Sequence, residues 1–242
     1  LVEANVGETD VSIFMVNTGQ TAVARIQTPH AKIKETGDTS IDGVPSTAAP
    51  ITLNFKDTAG SSCGALLPSG NAKDLVSGFE VTMIDGGMPC VILRAETIGI
   101  TGQETPEELE INSKLREKLE DIRLLCGTIM NLGDVRDKTV PKMTLVSNPE
   151  NGGAISTRTF IPHRCHKSIG VLGAVSVATA CLIPDSVAFD ISNNGKGSKR
   201  YLSIEHPSGK TTVVATLDGA NNVAEAAILR TARKLMDGNI FA

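Results

Sequence analysis

The longest apolar run of the chain, residues 171–183, consists of small and β-branched residues and contains no charged side chain. Small residues allow neighbouring elements to pack closely on every side, so this run predicts a buried central helix. The segment immediately before it is rich in basic and hydroxyl side chains. We expect His166, Lys167 and Ser168 to form the first turn of the helix and Pro184 to end it.

Period-two alternation of apolar and polar residues predicts β-strands over much of the remaining chain. The predicted strands cover residues 11–18, 21–28, 31–35, 79–84, 88–94, 142–147, 154–161, 200–205 and 210–217. Turn residues separate several of these pairs, among them Asp85-Gly86-Gly87 and His206-Pro207-Ser208-Gly209. The pattern of residues 226–236 fits a helix or a strand equally well.

One amphipathic helix is predicted from its amino-terminal signal. Thr105-Pro106-Glu107-Glu108 combines an N-cap, a proline at the first helical position and a capping-box glutamate. The periodicity continues to about Met130, with charged residues mostly on the opposite face, which is typical of a solvated surface helix. The predicted apolar face consists of Leu109, Ile111, Leu115, Leu119, Ile122, Leu125 and Cys126.

This order of elements indicates the fold class. Hairpins come first, followed by one surface helix, more strands, one apolar helix and further strands. The order predicts an α+β fold in which an antiparallel sheet wraps around a central helix. Glycine, proline and small residues are concentrated at 41–50, where we expect the chain to cross between two domains.

Composition narrows the functional classes. The 242 residues are 40% hydrophobic and 21% charged, which is ordinary for a globular protein large enough to bury a core. A net charge of −4 without a long basic block argues against nucleic-acid binding. Aromatic residues are scarce, with no Trp and one Tyr, which argues against stacking platforms for bases or sugars. No apolar run reaches the roughly 18 residues of a membrane span, and no signal peptide is visible.

The five cysteines are widely scattered, odd in number and without a CxxC pair. This distribution predicts free thiols in a reducing, cytoplasmic compartment rather than a disulfide framework or a structural zinc site. They are Cys63, Cys90, Cys126, Cys165 and Cys181.

The predicted start of the central helix is the first candidate functional site. Its first backbone N–H groups lack partners within the helix and lie at the positive end of the helix dipole, so they can receive a carboxylate or a phosphate. The spacing alone favours the alternative, in which His166, Lys167 and Ser168 only cap a structural helix. Gly86 and Gly87 likewise permit either a close backbone approach to a ligand or a plain hairpin turn.

Three other interpretations of the sequence are weaker. His163, Cys165 and His166 are three potential metal ligands within four residues, and they cannot easily converge on one tetrahedral ion, so no metal site is predicted. Cys165 lies beside basic residues at the predicted helix start, where partial thiolate character would suit a nucleophile or an acid–base group. The loop at 195–199 resembles a phosphate loop but lacks a strand-to-helix frame.

Seven short motifs carry a resemblance to a known family. In chain order they are Ile13-Phe14-Met15-Val16-Asn17-Thr18-Gly19, Ile41-Asp42-Gly43-Val44-Pro45, Leu66-Leu67-Pro68-Ser69-Gly70-Asn71, Met88-Pro89-Cys90-Val91, Cys165-His166-Lys167, Ile204-Glu205-His206-Pro207-Ser208-Gly209 and Arg230-Thr231-Ala232-Arg233. Together they resemble the PrpF family, which comprises 2-methylaconitate, aconitate and methylitaconate isomerases and 4-oxalomesaconate tautomerases.

The resemblance implies both a fold and a reaction. The fold would be similar to diaminopimelate epimerase, with two pseudo-symmetric domains and an active site in the cleft between them. The reaction would move a double bond in a tricarboxylate such as aconitate or methylaconitate, without metal or organic cofactor. An acid–base pair takes a proton from one carbon and returns one at another, while backbone amides hold the carboxylates and stabilise the developing enolate.

The sequence departs from the family in one respect. The family's acid–base pair is a lysine and a cysteine, the cysteine within a Pro-Asn-Cys-Gly-Asn type motif, and no such motif occurs here. We therefore expect no catalytic residue in this chain, and we expect the chain to be only the carboxyl-terminal two-thirds or so of a family member. Residues 1–42 would then be the remaining strands of an incomplete first domain, 43–229 the second, substrate-side domain, and 230–242 a strand returning to the first domain.

Within the chain, the resemblance supports a substrate-binding wall. The candidate residues are His166, Lys167, Ser168, Met88, Pro89, Ser69, Gly70 and Asn71. Lys167 would pair with a substrate carboxylate, so its replacement by Ala would weaken binding by about 1.5–3 kcal/mol. The expected partners are a small tricarboxylate and an amino-terminal segment of the same protein, with a homo-oligomer left open. The rival hypothesis is an inactive fragment that acts as a binding or assembly subunit.

Overall fold

The computed structural model describes residues 2–16 and 20–239, and of Gln20 only the backbone. The chain forms two compact units. Unit 1 comprises Leu1–Lys56 and Leu229–Ala242, and unit 2 comprises Asp57–Ile228. The predicted domain boundary lay after Asp42, whereas unit 1 continues to Lys56 because the strand at 50–55 pairs within that unit.

Unit 1 contains three antiparallel strands, β1 (Gly7–Met15), β2 (Gln20–Thr28) and β3 (Pro50–Phe55). The predicted turn between β1 and β2 lies largely outside the described residues. The strand predicted at 31–35 is wrong. A 3-10 turn, Pro29–Ala31, follows β2 instead, since proline has no N–H for a ladder and both His30 and Ala31 have positive φ.

The strands of unit 2 form a mixed sheet. They are β4 (Asp74–Val76), β5 (Phe79–Asp85), β6 (Pro89–Arg94), β7 (Lys142–Ser147), β8 (Ile155–Ile161), β9 (Arg164–Cys165), β10 (Lys199–His206), β11 (Gly209–Leu217) and β12 (Val223–Thr231), of which the last three residues belong to unit 1. The order is β12-β11-β10-β8-β7-β6-β5-β4, with β9 paired to β8. The ambiguous segment at 226–236 is thus strand over most of its first half.

The sheet is predominantly antiparallel, as the sequence predicts, but two of its pairs are parallel. β6 pairs with β7 in parallel, with Ile92 opposite Thr144, and β8 pairs with β10 in parallel, with Ile155 opposite Ile204. Parallel neighbours require long crossover connections. The sequence between each of these pairs contains helix, which is the element that makes such a crossover.

The central helix is α3 (Val171–Ala180), and it packs against β5, β6, β10 and β11. Every residue from Gly173 to Ala180 is buried, as the all-apolar run predicted. The predicted start at His166 is wrong. The His166 N–H donates to the Thr159 carbonyl at 2.7 Å, which continues the pairing of β9 with β8, and the extended Gly170 is the N-cap.

The surface helix is divided into α1 (Pro106–Ile111) and α2 (Ser113–Ile129). The predicted capping box at Thr105 and Glu108 is confirmed. The division occurs at Asn112, whose side chain accepts the Leu115 N–H at 3.1 Å and caps α2. Most of the predicted apolar face is buried against the sheet, but Ile111 is 83% exposed and Leu125 51% exposed, so these two assignments are wrong.

Arg123 on α2 is fully buried, although the charged face of this helix was predicted to be solvated. Its Nε and Nη2 atoms donate to both carboxylate oxygens of Glu120 at 2.7 Å. Its Nη1 atom donates to the carbonyls of Val135, Lys138 and Val140 at 3.0–3.2 Å. The guanidinium therefore fixes the loop that leads from α2 into β7.

Glu205 on β10 anchors the loop before β8. Its carboxylate, on a residue only 3% exposed, accepts the N–H groups of Glu150, Asn151 and Gly153 at 2.7–2.9 Å. Burial raises the pKa of Glu205, but the three backbone donors outweigh it and the net pKa lies below its ordinary value of 4.5.

Replacing Glu205 by Gln is expected to lower the free energy of unfolding by about 2 kcal/mol at neutral pH, since a charged acceptor of three donors is lost. A lowered folded-state pKa stabilises the protein above pH 4.5 and this contribution disappears as the pH falls through the folded value. Urea unfolding at several pH values measures the difference, which shrinks below pH 4.5. The control Glu117→Gln, exposed on α2, changes stability by at most about 0.5 kcal/mol. A difference that is independent of pH would contradict this role.

No helix among residues 2–16 and 20–239 is long and apolar enough to cross a membrane.

Candidate functional site

The amino terminus of α3 is open to solvent although the body of the helix is buried. Gly170, the N-cap, is exposed and supplies no side-chain acceptor to the first turn. The N–H groups of the first turn have no intrahelical partners and lie at the positive end of the helix dipole. The end of a buried helix that carries no cap of its own can accept a carboxylate.

A glycine loop, Gly86–Met88, lies against this helix. The Ser176 side chain of α3 accepts the Gly86 N–H at 3.1 Å and donates to the Met88 carbonyl at 2.8 Å. A Cβ atom on Gly86 would lie 3.1 Å from the Cα atom of Ser176, and one on Gly87 would lie 3.3 Å from the side chain of Leu172. The close approach of Gly86 is therefore an approach to α3, whereas a Cβ atom on Gly87 would lie closest to Thr58, at 2.8 Å from its Cβ atom.

Asp85 fixes the base of the glycine loop. It is completely buried, its Oδ2 atom accepts the N–H groups of Ser62 and Cys63 at 2.8 and 2.9 Å, and its Oδ1 atom accepts that of Gly87 at 3.1 Å. A buried carboxylate is stabilised by such donors. Asp85 thus holds the loop at 62–63 and the glycine loop in one arrangement beside α3.

In the segment before the helix start, Ser168 contacts the β10–β11 hairpin. Its Oγ atom is 3.4 Å from Nε2 of His206, and the same nitrogen is 3.2 Å from Oγ1 of Thr211. Nδ1 of His206 is 3.3 Å from Oγ of Ser208. Hydrogen-bonding partners at both ring nitrogens orient the imidazole beside the segment that enters α3.

A pocket of about 360 Å³ adjoins this cluster, and it is lined by Gln103, Glu104, Thr105, Pro106, Glu107, Arg158, Lys167, Pro207 and Ser208. Arg158 is 7% exposed, and burial lowers its pKa from the ordinary value. Arginine nevertheless stays protonated near neutral pH, so the pocket contains a desolvated cation.

The predicted site residues have different environments. Met88 is held at α3, and Pro89, which begins β6, is buried directly after it. Ser168 lies at the segment that enters the helix, and Nδ1 of His166 accepts the Ser168 N–H at 2.9 Å. Met88 thus contacts the middle of α3 through Ser176, whereas His166 and Ser168 lie in the segment before the helix start, and none of the four residues belongs to the first turn.

Lys167 points outward. Its side chain is 77% exposed and its ammonium lies 3.2 Å from a carboxylate oxygen of Glu107. An exposed ion pair contributes about 0–1 kcal/mol, so the effect of its replacement on binding should be smaller than the sequence-based expectation.

The turn at 69–71 has a local function. The Ser69 hydroxyl and the Asn71 amide donate to the two carboxylate oxygens of Asp74 at 2.6 and 2.7 Å, and Gly70 has the positive φ that this turn requires. In the described part of the chain, these side-chain bonds stay within the turn before β4. They give no support to substrate binding by Ser69, Gly70 or Asn71.

The thiols of the chain are poor acid–base groups. All five cysteines are buried. Desolvation is the largest effect on each, and it raises the pKa of Cys165 to about 11 and those of the other four to about 12. Cys165 lies on β9 and not at a helix terminus, so the suggestion that it has thiolate character is wrong.

Sequence reasoning missed Asp85, Ser176 and Arg158. Asp85 looked like an ordinary turn residue, and Ser176 one polar position in an apolar helix. Arg158 did offer a signal, because it is the only charged residue within the predicted strand at 154–161. A charged side chain in the middle of a buried strand indicates a paired charge or a bound ligand, because charged residues are almost never fully buried unless they are paired.

A model of the family described as PrpF protein matches residues 1–242. The chain belongs to the PrpF family. It is 58% identical over 241 residues to the (4E)-oxalomesaconate Δ-isomerase of Novosphingobium sp. (strain KA1), covering 100% of this chain and 68% of the relative. It is 54% identical over 238 residues to the 4-oxalomesaconate tautomerase of Pseudomonas putida, covering 98% of this chain and 66% of the relative.

A PrpF structure confirms the predicted α+β fold class. The crystal structure of methylitaconate-Δ-isomerase superposes with a TM-score of 0.86 and 29% identity, covering 98% of this chain and 67% of that one. The chain thus spans about two-thirds of the length of these PrpF proteins. The expectation that it is their carboxyl-terminal two-thirds is not borne out by the matches, and the names of the relatives do not favour an inactive fragment.

Proposed function

We propose that this chain is the substrate-binding part of a cofactor-independent isomerase. The enzyme moves a double bond in an unsaturated tricarboxylate of the oxalomesaconate type by 1,3-proton transfer. The observation that carries the proposal is the start of α3, which has no side-chain cap and has the exposed Gly170 as its N-cap residue. The names of the two relatives above 50% identity support the substrate class.

The role of the helix start follows from the charge that the reaction develops. Proton abstraction next to a carboxylate places negative charge on the carboxylate oxygens, and oriented N–H donors stabilise that charge most when they are fixed in advance. The first turn of α3 supplies such donors, and packing against β5, β6, β10 and β11 fixes the helix. Asp85 and Ser176 fix the facing loop in the same way.

The acid–base pair is proposed to lie on an amino-terminal segment that accompanies this chain. The thiols described above are buried and have raised pKa values, which supports this division of labour. Exposed apolar side chains in unit 1, including Val6, Phe14 and Val16 at 65–83% exposure, support a surface that such a segment covers.

The test compares the chain alone with a chimera in which it replaces the 238 matching residues of the Pseudomonas tautomerase. Double-bond migration in oxalomesaconate, aconitate and methylitaconate is followed by NMR. We expect no turnover by the chain alone and turnover of oxalomesaconate by the chimera. Turnover by the chain alone would contradict the proposed location of the acid–base pair. A folded chimera that binds oxalomesaconate without converting it would contradict the proposed function.

A further inference from the structure

Arg158 on β8 uses only part of its donor capacity. Its Nε atom donates to the Glu104 carbonyl at 2.7 Å and its Nη1 atom donates to the Thr157 carbonyl at 3.0 Å. Nη2 has no hydrogen bond, and no carboxylate lies within 4.0 Å of the guanidinium among the described residues. Buried polar side-chain atoms of the described chain all have partners, so Nη2 must be accessible from the pocket that Arg158 lines.

The other buried arginine shows what a structural guanidinium looks like in this fold. Arg123 donates through Nε, Nη1 and Nη2, to both oxygens of one carboxylate and to three carbonyls. Arg158 is 7% exposed, yet it has two carbonyl partners and no carboxylate. A desolvated cation without a counter-ion is costly unless an anion completes it.

Burial has the largest effect on the pKa of Arg158 and lowers it. The charges of Glu104, Glu150 and Glu205 raise this pKa, but none of these carboxylates forms a direct ion pair with Arg158 in the described chain. The Glu104 carboxylate accepts the N–H groups of Thr101 and Gly102 and the Thr101 hydroxyl at 2.7–2.9 Å. Glu107 is paired with Lys167 at the exposed rim. Nη2 of Arg158 is therefore a hydrogen-bond donor in the pocket that has no acceptor among the described residues.

We propose that this pocket is a second carboxylate subsite, in which Arg158 binds the central carboxylate of the substrate while a terminal carboxylate lies at the start of α3. This inference rests on the proposed function. The chain of contacts from Ser168 through His206 to Ser208 connects the helix start to the pocket wall. A volume of about 360 Å³ is ample for a carboxylate and the carbon chain that carries it. A planar guanidinium recognises a carboxylate with two parallel hydrogen bonds, which gives the subsite its selectivity.

The Glu107 carboxylate at the rim of the pocket opposes the binding of a substrate carboxylate. It neutralises Lys167 in the unliganded chain, and it repels an incoming carboxylate. We expect Glu107→Gln to tighten tricarboxylate binding about threefold, and Lys167→Ala to change it by less than about threefold, because both side chains are largely exposed.

Calorimetry on the 242-residue chain tests the subsite with two unreactive ligands. Tricarballylate has three carboxylates, whereas glutarate has the same chain length without the central one. Wild type is expected to bind tricarballylate about tenfold tighter than glutarate. Arg158→Gln is expected to abolish this preference and leave glutarate affinity within about twofold, and Arg158→Lys is expected to restore it in part. The matched control Arg164→Gln removes a cation that is 83% exposed on β9 and should preserve the preference.

Equal affinity of the wild type for both ligands, or no binding of either, would overturn the subsite. So would an Arg158→Gln variant that keeps the preference, or one that keeps its circular dichroism and loses both ligands equally. If Arg158→Gln does not fold, Arg158→Lys and Glu107→Gln still test the proposal. Unchanged preference for tricarballylate over glutarate and unchanged tricarballylate affinity in both variants would reject it. Failure of the subsite and failure of the proposed function give different results. If the chain prefers tricarballylate through Arg158 but the chimera has no isomerase activity, the subsite is supported and the proposed reaction is rejected. If the chimera is active but the preference does not depend on Arg158, the reaction is supported and the subsite is rejected.

Discussion

Replacing Arg123 by Met is expected to lower the free energy of unfolding of unit 2 by about 4 kcal/mol. Methionine fills much of the space but provides no donor, so Glu120 and the carbonyls of Val135, Lys138 and Val140 lose their shared partner. Removing one member of a buried charged network costs about 3–5 kcal/mol because the remaining polar groups stay desolvated. Urea unfolding followed by circular dichroism measures the change.

The matched control for this variant is Arg136→Met in the loop after α2. The Arg136 side chain is 74% exposed and, in the described part of the chain, pairs only with Asp134, so its removal should leave the unfolding free energy nearly unchanged. Equal effects of the two substitutions would mean that Arg123 does not fix the loop before β7.

Asp85→Asn is expected to lower the free energy of unfolding by about 3 kcal/mol and to release the glycine loop from α3. Asparagine has nearly the same shape, but its amide donor would face N–H groups that now donate to a charged oxygen. Losing charge-assisted bonds at a completely buried residue costs about 1.5–3 kcal/mol for a bond, and neighbouring bonds are not additive. Urea unfolding measures the change in the free energy of unfolding, and the amide resonances of Gly86 and Gly87 in NMR spectra report whether the glycine loop has changed conformation.

Asp74→Asn is the control for the Asp85 variant. Asp74 also accepts side-chain donors from a turn, but it is only partly buried and is the first residue of β4. Its replacement should cost less than about 1 kcal/mol and leave the resonances of Gly86 and Gly87 unchanged. If these resonances shift in the Asp74 variant, or do not shift in the Asp85 variant, Asp85 does not fix the glycine loop.

The sequence predicts a helix or strand of this fold correctly where interactions between residues close together in the chain determine it. The capping box at Thr105 and the all-apolar helix after Gly170 were predictable, because capping chemistry and packing by small residues act locally. The start of α3 was misplaced since the bond from His166 to Thr159 depends on a strand partner that no local pattern reveals. The parallel pairs were missed for the same reason, since β6 and β7 are separated by almost fifty residues of helix and loop.

The sequence directs attention to the segment before α3 as a candidate site, but it does not reveal the buried residues that position this segment and its neighbours. Basic and hydroxyl residues before an apolar helix indicated an anion site, and the motifs that resemble the PrpF family pointed to the same segment. Asp85, Ser176 and Arg158 act through buried contacts between distant segments, and no periodicity encodes such contacts. Conversely, the Ser69–Asn71 turn looked like a binding loop because turns and ligand loops share the same residue types.

Binding of a substrate carboxylate at the start of α3 is tested most directly by an NMR titration of the ¹⁵N-labelled chain with tricarballylate. We expect saturable shifts of the Val171, Leu172 and Gly173 amides, together with those of the glycine loop. Amides of the turn at 69–71 serve as the internal reference and should not move. If the α3 amides do not move at a ligand concentration that shifts other residues, the start of α3 does not bind the carboxylate.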